Sequence, residues 1–345
     1  MAQEMKILIF KFSPIGDTVM FLPVLQELRR LKPDWEITVC TTPACAGLFA
    51  PQLDRRNIWA EDREVFRRSV RRPFSLLAWV RRVRGLRPDA VLLSFDQSSM
   101  ARILASCSGA GLRIGGADSA VRWKGGLTHE VRICAGQTLA KWEWEMARVL
   151  SLGTDLKWPE NPPTPRLPFP NSRATRGRPR VLVHAGASRA YQRWDAARYV
   201  ELAERLAADF DVMWILQPGD DAPKPNPPVT CVLQTDLIGF VFLAESADLF
   251  VGNHSGPFHL ASAAGTPCVI PTGPTLQVCD PPWNEGTTRL LRMQGLSCMP
   301  CDKLIVSPNR CTHLSEPMAC LKYWTVDAVE QVCRSVLARK AGNRS

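Results

Sequence analysis

The sequence lacks any apolar run long enough to cross a membrane. Its uncharged apolar runs, such as residues 7–10 and 91–93, fall far short of the roughly 20 residues that span a bilayer. A secretion signal is not predicted either, because the apolar segment 5–11 is only strand length and is followed by Pro14 and Gly16. We therefore expect a cytoplasmic protein that is soluble or lies peripherally on the inner membrane.

Other classes of protein are excluded by what is scarce. Twelve cysteines in 345 residues are too few for a disulfide scaffold, so most of these thiols should be buried and reduced. No internal repeat or long low-complexity segment is present. With 46% hydrophobic and 22% charged residues, the composition also excludes disordered chains, collagen and coiled coils. The sequence is that of a globular protein.

Acidic residues are outnumbered by basic ones. The 43 Lys and Arg exceed the 33 Asp and Glu, which gives a net charge of +10 and favours anionic partners. Residues 55–87 hold eleven Arg and only three acidic residues, with five apolar side chains interleaved, namely Phe74, Leu76, Leu77, Trp79 and Val80. This region is either a surface that sits on anionic lipid or a phosphorylated acceptor, or a solvated basic face. No pattern typical of nucleic-acid recognition accompanies the charge, so a nucleic-acid partner is not predicted.

The chain length and the pattern of strands predict two α/β domains. Short β-rich runs alternate with helical patterns, at residues 6–11, 37–41, 90–95, 180–184, 212–217, 249–252 and 267–270. Such alternation predicts doubly wound parallel sheets covered by helices on both faces. Residues 158–179 contain seven prolines and are the predicted linker. We expect Rossmann-like domains over residues 1–157 and 180–345.

The first predicted strand-to-helix turn holds a candidate catalytic carboxylate. Gly16 and Asp17 follow the strand at 6–11, and ligands in such sheets sit beyond the carboxyl ends of strands. Asp17 is either an N-cap of the next helix or a catalytic carboxylate, and the residues alone leave both open. The turn is not the G-x-G-x-x-G pattern of nicotinamide dehydrogenases.

Two turns in the second half of the chain suit phosphate. After the strand at 180–184, small residues with Ser188, Arg189 and Arg193 suit a phosphate, although an ordinary turn with solvated arginines has the same composition. After the strand at 249–252, Ser255 is a predicted helix cap and Gly265 a predicted helix end. The free amides of that helix would face a diphosphate.

Three segments together resemble glycosyltransferase family 9, the ADP-heptose:lipopolysaccharide heptosyltransferases. They are Phe-Ser-Pro-Ile-Gly-Asp at 12–17, Gly-Ala-Ser-Arg-Ala-Tyr-Gln-Arg-Trp at 186–194 and Gly-Asn-His-Ser-Gly-Pro-Phe-His-Leu-Ala at 252–261. The similarity extends through residues 113–115, residues 127–129 and the Cys-rich tail, and covers about residues 5–337.

The resemblance implies a GT-B fold, with an N-terminal acceptor domain and a C-terminal nucleotide-sugar domain facing a central cleft. It implies an inverting, metal-independent transferase that moves heptose or a related sugar from an ADP-activated donor to a lipopolysaccharide-type or other glycan acceptor. Asp17 would be the general base, without a catalytic cofactor, and Gly16 and Arg113 would contact the acceptor. The donor would be bound by Ser188, Arg189, Gln192, Arg193, Asp220, Thr235, His254, Ser255, Gly256, Pro257 and His259.

Two positions depart from the family pattern. The family usually has Asp where this chain has His254, and Lys where it has Gln192. The first change removes a permanent negative charge and the second removes a positive one. An alternative is therefore a non-catalytic or donor-switched member that acts as a binding or scaffold protein.

The C-terminal region holds four spaced cysteines, Cys298, Cys301, Cys311 and Cys320. Four thiolates can close a tetrahedral site, so a structural Zn²⁺ or iron ion is one interpretation. Reduced buried thiols or a disulfide are the other interpretations. No catalytic role is assigned to these residues.

Overall fold

The computed structural model describes residues 4–94, 98–117, 125–152, 157–167, 177–218, 223–234, 236–283, 286–303, 310–313 and 315–342. The chain divides into two compact units, Met1–Arg166 and Leu167–Ser345. The division falls inside the Pro-rich segment 158–179.

The beginning of the Pro-rich segment packs on the first unit. The indole N–H of Trp144 donates to the Pro159 carbonyl at 3.0 Å, and the Trp144 ring meets the Trp158 ring edge-on. The side-chain amide of Gln26 donates to, and accepts from, the backbone of Arg166. This part of the expected linker therefore belongs to the first unit.

The first unit is a six-stranded sheet in the order β3-β2-β1-β4-β5-β6, and every pair of neighbours is parallel. Its strands are β1 (Lys6–Lys11), β2 (Glu36–Thr41), β3 (Ile58–Ala60), β4 (Ala90–Leu93), β5 (Leu112–Gly116) and β6 (His129–Val131). Its helices are α1 (Ile15–Leu31), α2 (Pro43–Phe49), α3 (Arg63–Arg68), α4 (Pro73–Leu86), α5 (Ser99–Cys107) and α6 (Leu139–Arg148).

The second unit repeats this architecture in the order β12-β11-β10-β7-β8-β9, again with parallel neighbours. Its strands are β7 (Arg180–His184), β8 (Asp211–Leu216), β9 (Thr230–Leu233), β10 (Leu249–Gly252), β11 (Cys268–Thr272) and β12 (Arg289–Arg292). Its helices are α7 (Ala196–Leu206), α8 (Leu237–Glu245), α9 (Gly256–Ala263), α10 (Ala319–Lys322) and α11 (Val326–Gly342).

The inner strands of both sheets are apolar because helices cover both faces. All but the first residue of β1 and all of β10 are buried. Neighbouring backbones also approach closely, since a Cβ at Gly252 would lie 2.9 Å from the His184 carbonyl oxygen. A side chain does not fit there, and the chain leaves β10 directly into the turn before α9.

All seven predicted strands are present within about two residues at each end, but five strands were missed. Four of these, β3, β6, β9 and β12, are the sheet edges, where residues are half-buried or exposed and leave no apolar run. The fifth, β5, ends in two glycines. Periodicity therefore located the inner strands of both sheets, apart from β5, but not the edge strands.

In the described part of the chain, none of the helices combines the length and the apolar character needed to cross a bilayer.

Candidate functional site

Asp17 lies in the first turn of α1, just beyond the carboxyl end of β1. The residue at the N-cap position is Pro14, so Asp17 is the third residue of the helix and the N-cap interpretation is wrong. The half-buried carboxylate is close to the positive end of the helix dipole, which favours its ionised form. This placement suits a carboxylate that accepts a proton.

A buried ion pair lies at the end of β1, where sequence reasoning missed it. The Lys11 ammonium is 2.7 Å from Oε1 of Glu143 on α6, and both side chains are fully buried. Lys11 also donates to the Ser94 hydroxyl at 2.6 Å, and this hydroxyl contacts the same carboxylate. Lys11 follows four apolar residues at the end of β1, and its charge was the available signal.

The two predicted acceptor residues lie in different places. Gly16 is buried in the first turn of α1, beside Asp17. Arg113 is the second residue of β5, in register with Val91, and about 10 Å below the carboxyl edge of the sheet at 3.3 Å per residue. Its guanidinium donates to the carbonyls of Ala110 and Gly126 at 2.6 and 2.8 Å. Arg113 therefore supports the turns around β5, and its contact with the acceptor stays a prediction.

The basic segment 55–87 has a buried side and an exposed side. Phe66 and Trp79 pack edge-on in the core of the first unit. Ten of the eleven arginines are exposed. On the same exposed side of α4, Phe74 is 88% exposed and Leu77 is 44% exposed. The predicted apolar residues therefore divide between the core and the surface.

Asn253 organises the carboxyl edge of the second sheet and was not predicted. Its Oδ1 accepts from the Trp194 backbone N–H at 2.8 Å and from the Tyr199 hydroxyl at 3.1 Å. Its Nδ2 donates to the carbonyl oxygens of Ala185 and Gly186 at 2.7 and 3.3 Å. One fully buried amide therefore joins the turn after β7 to the turn after β10.

The helix after β10 has the predicted bounds and the predicted N-cap residue, but no side-chain capping bond. Ser255 occupies the N-cap position of α9, yet its hydroxyl donates to the Asn253 carbonyl at 3.3 Å. Gly256 and Pro257 form the first turn, and Gly265 with a φ of +78° follows the helix end. Because the Ser255 side chain does not cap α9, the first backbone N–H groups of this helix stay available to an anion.

His254 is bound to a carboxylate on the next strand connection. Its Nε2 lies 2.9 Å from Oδ1 of Asp280, which follows β11. Arg292, the last residue of β12, donates to both oxygens of Asp280 at 2.9 and 3.0 Å. A carboxylate therefore lies beside position 254, on a neighbouring element, and is held by His254 and Arg292.

His259 is buried in α9 against the His254 ring, with 5.3 Å between the ring centres. Burial, together with the nearby His254, lowers the pKa of His259 well below its usual value, so the ring is neutral. Among the described residues, Nδ1 of His259 has no hydrogen-bond partner.

We call residues 188–194 the 188–194 turn. The Asp302 carboxylate contacts three side chains of this turn. Oδ1 accepts from the Tyr191 hydroxyl at 2.6 Å and faces the Arg189 guanidinium at 3.3 Å. Oδ2 accepts from the Gln192 amide at 2.6 Å. Burial and the bond to Asp302 raise the pKa of Tyr191 to about 12, which keeps its hydroxyl a donor.

The remaining predicted donor residues are less constrained. Ser188 is exposed, and Arg193 is exposed while its Nε donates to the Ala187 carbonyl at 2.7 Å. Asp220 and Thr235 lie outside the described residues.

The four C-terminal cysteines are near one another. Burial raises the pKa of Cys301, and Cys298 and Cys311 raise it further. Burial and the three other thiols raise the pKa of Cys320 to about 11. In the described ranges, however, no group of three or more His, Cys, Asp or Glu is arranged to hold a metal ion. The thiols interact electrostatically without forming a ready ligand set.

Comparison with known proteins decides the family. The model of glycosyltransferase family 9 (heptosyltransferase) matches residues 80–305, well over half of the chain. The chain belongs to glycosyltransferase family 9. Among curated members, lipooligosaccharide heptosyltransferase 2 of Campylobacter jejuni is 27% identical over 150 residues, which are 39% of this chain and 46% of that protein. The match spans less than half the length of this relative.

Solved structures of family 9 share the fold. The E. coli ADP-heptose lps heptosyltransferase II has a TM-score of 0.70 at 19% identity, over 98% of this chain and all of that one. The family 9 glycosyl transferase from Veillonella parvula DSM 2008 has a TM-score of 0.75 at 15% identity, over 98% and 99% of the two chains. These similarities confirm the predicted GT-B class, with two Rossmann-like parallel-sheet units.

Proposed function

We propose that this chain transfers heptose, or a related sugar, from an ADP-activated donor to a lipopolysaccharide-type or other glycan acceptor. Membership of family 9 supports the coarser statement that it is a glycosyltransferase. The names of the heptosyltransferases from E. coli and Campylobacter support the donor and the acceptor class. The observation that carries the mechanism is the Asp17 carboxylate, in the first turn of α1 beyond the central strand.

In the proposed reaction Asp17 is the general base. Its carboxylate takes the proton of an acceptor hydroxyl while that oxygen attacks the anomeric carbon of the donor. The bond from the anomeric carbon to the diphosphate oxygen breaks on the opposite face, so the configuration is inverted. The bonding electrons leave with ADP, and the proton remains on Asp17.

The second unit would bind the donor and stabilise the leaving diphosphate without a divalent cation. The first amides of α9, near Ser255 and Gly256, face beyond the sheet edge and supply a positive dipole end. The exposed guanidinium groups of Arg189 and Arg193 would add positive charge. His259, which is buried in α9, remains a proposed donor contact.

The test combines nucleotide binding and transfer. ADP should raise the melting temperature more than UDP, GDP, CMP or NAD at equal excess, since a ligand that binds the folded state stabilises it. Asp17→Asn should abolish transfer from ADP-heptose and keep the ADP shift. Asp34→Asn, at an exposed position of the same unit, is the matched control and should keep both. Full activity of Asp17→Asn would remove Asp17 from the mechanism.

A second candidate is a non-catalytic or donor-switched family member that acts as a binding or scaffold protein. The contacts of His254 with Asp280 and of Gln192 with Asp302 favour it, because both family-variant side chains already have partners inside the unit. Selective stabilisation by UDP or GDP would support a switched donor. A melting temperature that does not change with any nucleotide or with intact ADP-heptose would support a scaffold protein.

We also propose that the exposed face of α4 sits on an anionic membrane surface. Phe74 and Leu77 are three residues apart and share a face with Arg81, while Arg71 and Arg72 precede the helix. Apolar side chains ringed by cations are typical of interfacial helices. A membrane surface would cover the Phe74 side chain, which is 88% exposed.

Vesicle sedimentation tests the membrane proposal. The protein should bind vesicles rich in phosphatidylglycerol and not pure phosphatidylcholine vesicles. Phe74→Asp should reduce binding about tenfold and Arg71→Glu about fivefold or more. Leu233→Asp and Arg339→Glu, at exposed positions of the second unit, are the matched controls. Equal loss with the control variants would indicate unspecific charge attraction and contradict the proposal.

A structural Zn²⁺ or iron ion at Cys298, Cys301, Cys311 and Cys320 remains a proposal, with no step of the reaction assigned to it. Four thiolates suit either metal, but the thiols would have to move closer to form the ligand set. Elemental analysis of the purified protein should find about one metal ion per chain. Cys301→Ser should lose it, and Cys134→Ser, at an exposed position of the first unit, should keep it.

A further inference from the structure

Asp302 and Arg189 form a pair whose geometry leaves most of the guanidinium available. Only Nη1 of Arg189 faces the carboxylate, and the same nitrogen lies 3.1 Å from the Tyr191 hydroxyl. The Arg189 side chain is 45% exposed, whereas that of Asp302 is 7% exposed. Since a guanidinium carries five N–H groups, those on the other nitrogens can bind an anion from the exposed side.

The buried carboxylate depends on its three donors. Burying a carboxylate away from water costs free energy unless its oxygens accept hydrogen bonds. Asp302 accepts them from Arg189, Tyr191 and Gln192 of the 188–194 turn. Its own backbone N–H donates to the Pro274 carbonyl at 3.2 Å, after β11. Asp302 therefore fixes the beginning of the 188–194 turn to the neighbouring strand connection.

The end of the same turn is anchored independently. The Trp194 backbone N–H donates to Asn253, and its indole N–H donates to the Trp324 carbonyl at 2.9 Å. Among the contacts described above, the hydrogen bonds that join side chains of residues 188–192 to other elements all go to Asp302. Gln192, where the family usually has a lysine, is part of this attachment and not a free side chain.

We propose that Asp302 is a positioning residue for donor binding, which holds the 188–194 turn and aims the Arg189 guanidinium at the diphosphate of the nucleotide sugar. This inference rests on the proposed donor role of the second unit. In this proposal Asp302 itself does not contact the nucleotide sugar. The carboxylate acts through Arg189, and losing the carboxylate frees the guanidinium to adopt other rotamers.

The experiment is a double-mutant cycle read out by ADP affinity in isothermal titration. Asp302→Asn and Arg189→Gln should each weaken ADP binding about tenfold, the usual effect of losing one charge-assisted hydrogen bond. The double variant should be little weaker than either single one, because both act on the same contact. In transfer assays Asp302→Asn should raise the donor KM and change kcat at saturating donor less than about twofold.

Matched variants separate positioning from folding. Asp211→Asn removes another carboxylate paired with an arginine, Arg180 at 2.6 Å, at the amino end of β8, and should leave ADP affinity unchanged. Tyr191→Phe keeps the ring and removes one bond to Asp302, so it provides a milder loss if Asp302→Asn does not fold. Its ADP affinity should fall about threefold.

Three results would overturn the inference. ADP affinity equal to or tighter than that of the wild type in Asp302→Asn would show that the carboxylate does not position the guanidinium. Additive losses in the double variant would show independent roles. A lower melting temperature with unchanged ADP affinity would show a merely structural residue. A wild type that binds no ADP would instead overturn the proposed function, and this inference with it.

Discussion

The Lys11 ammonium and the Glu143 carboxylate are 2.7 Å apart, and neither side chain is exposed to solvent. They join the end of the central strand β1 to α6, and Lys11 precedes Asp17, in the first turn of α1, by six residues. Breaking such a pair leaves one uncompensated charge in the core, whereas replacing both partners by apolar residues is often tolerated.

Lys11→Met should therefore lower the free energy of unfolding by about 3 to 5 kcal/mol, measured by urea denaturation. The double variant Lys11→Met/Glu143→Met should recover most of the loss. Lys6, on the same strand, pairs with Glu36 at the surface, and Lys6→Met should cost less than about 1 kcal/mol. A small loss for Lys11→Met, similar to that of the control, would contradict the role of the buried pair.

Asn253→Asp should destabilise the second unit although the two side chains have the same shape. The new carboxylate oxygen would face the carbonyl oxygens of Ala185 and Gly186, which now accept from Nδ2. We expect a loss of about 2 to 4 kcal/mol in denaturant unfolding. Asn161→Asp, at an exposed position, is the control, and equal losses for the two variants would refute the prediction.

His254→Asp restores the usual family residue and should still destabilise this protein. The new carboxylate would lie beside Asp280, where the imidazole now interacts at 2.9 Å, and like charges repel. The melting temperature should fall at pH 7, and adding Asp280→Asn should recover much of it. A higher melting temperature for His254→Asp alone would show that repulsion between the two carboxylates does not control stability here.

His259 should make stability depend on pH. Its pKa is lowered in the folded state, so below about pH 6.5 the unfolded chain binds a proton that the folded chain does not. Stability from this residue is complete above that pH and is lost as the pH falls, by up to about 1.4 kcal/mol per pH unit. His259→Phe should flatten urea-derived stability between about pH 6.5 and 5. If the free energy of unfolding of His259→Phe depends on pH as it does in the wild type, other groups cause the pH dependence.

Much of the fold was predictable because its signals are local. The buried inner strands and the glycines and serine around α9 lie within a few residues of one another, so periodicity and turn chemistry located them. The edge strands were missed because half-exposed residues carry no apolar run. The position of Asp17 after a strand located it as a candidate residue. Only the tertiary structure showed that it does not cap the helix.

The residues that hold the candidate site could not be predicted in the same way. Lys11 and Glu143 are 132 positions apart, and Gln192 and Asp302 are 110 positions apart. A single sequence shows which residues carry charge, but not which of them meet. The metal interpretation of the four cysteines stays a prediction, since the described residues do not form a ligand set for a metal ion.

The sequence by itself determined the α/β class, the family 9 motifs and the positions of Asp17 and the turn before α9, because each depends on neighbours along the chain. Only the tertiary structure decided that Arg113 supports the turns around β5, that Asp280 accompanies His254 and that Asp302 holds Arg189 and Gln192. Such pairs depend on strand order and on burial, which bring distant polar groups together and require them to satisfy one another.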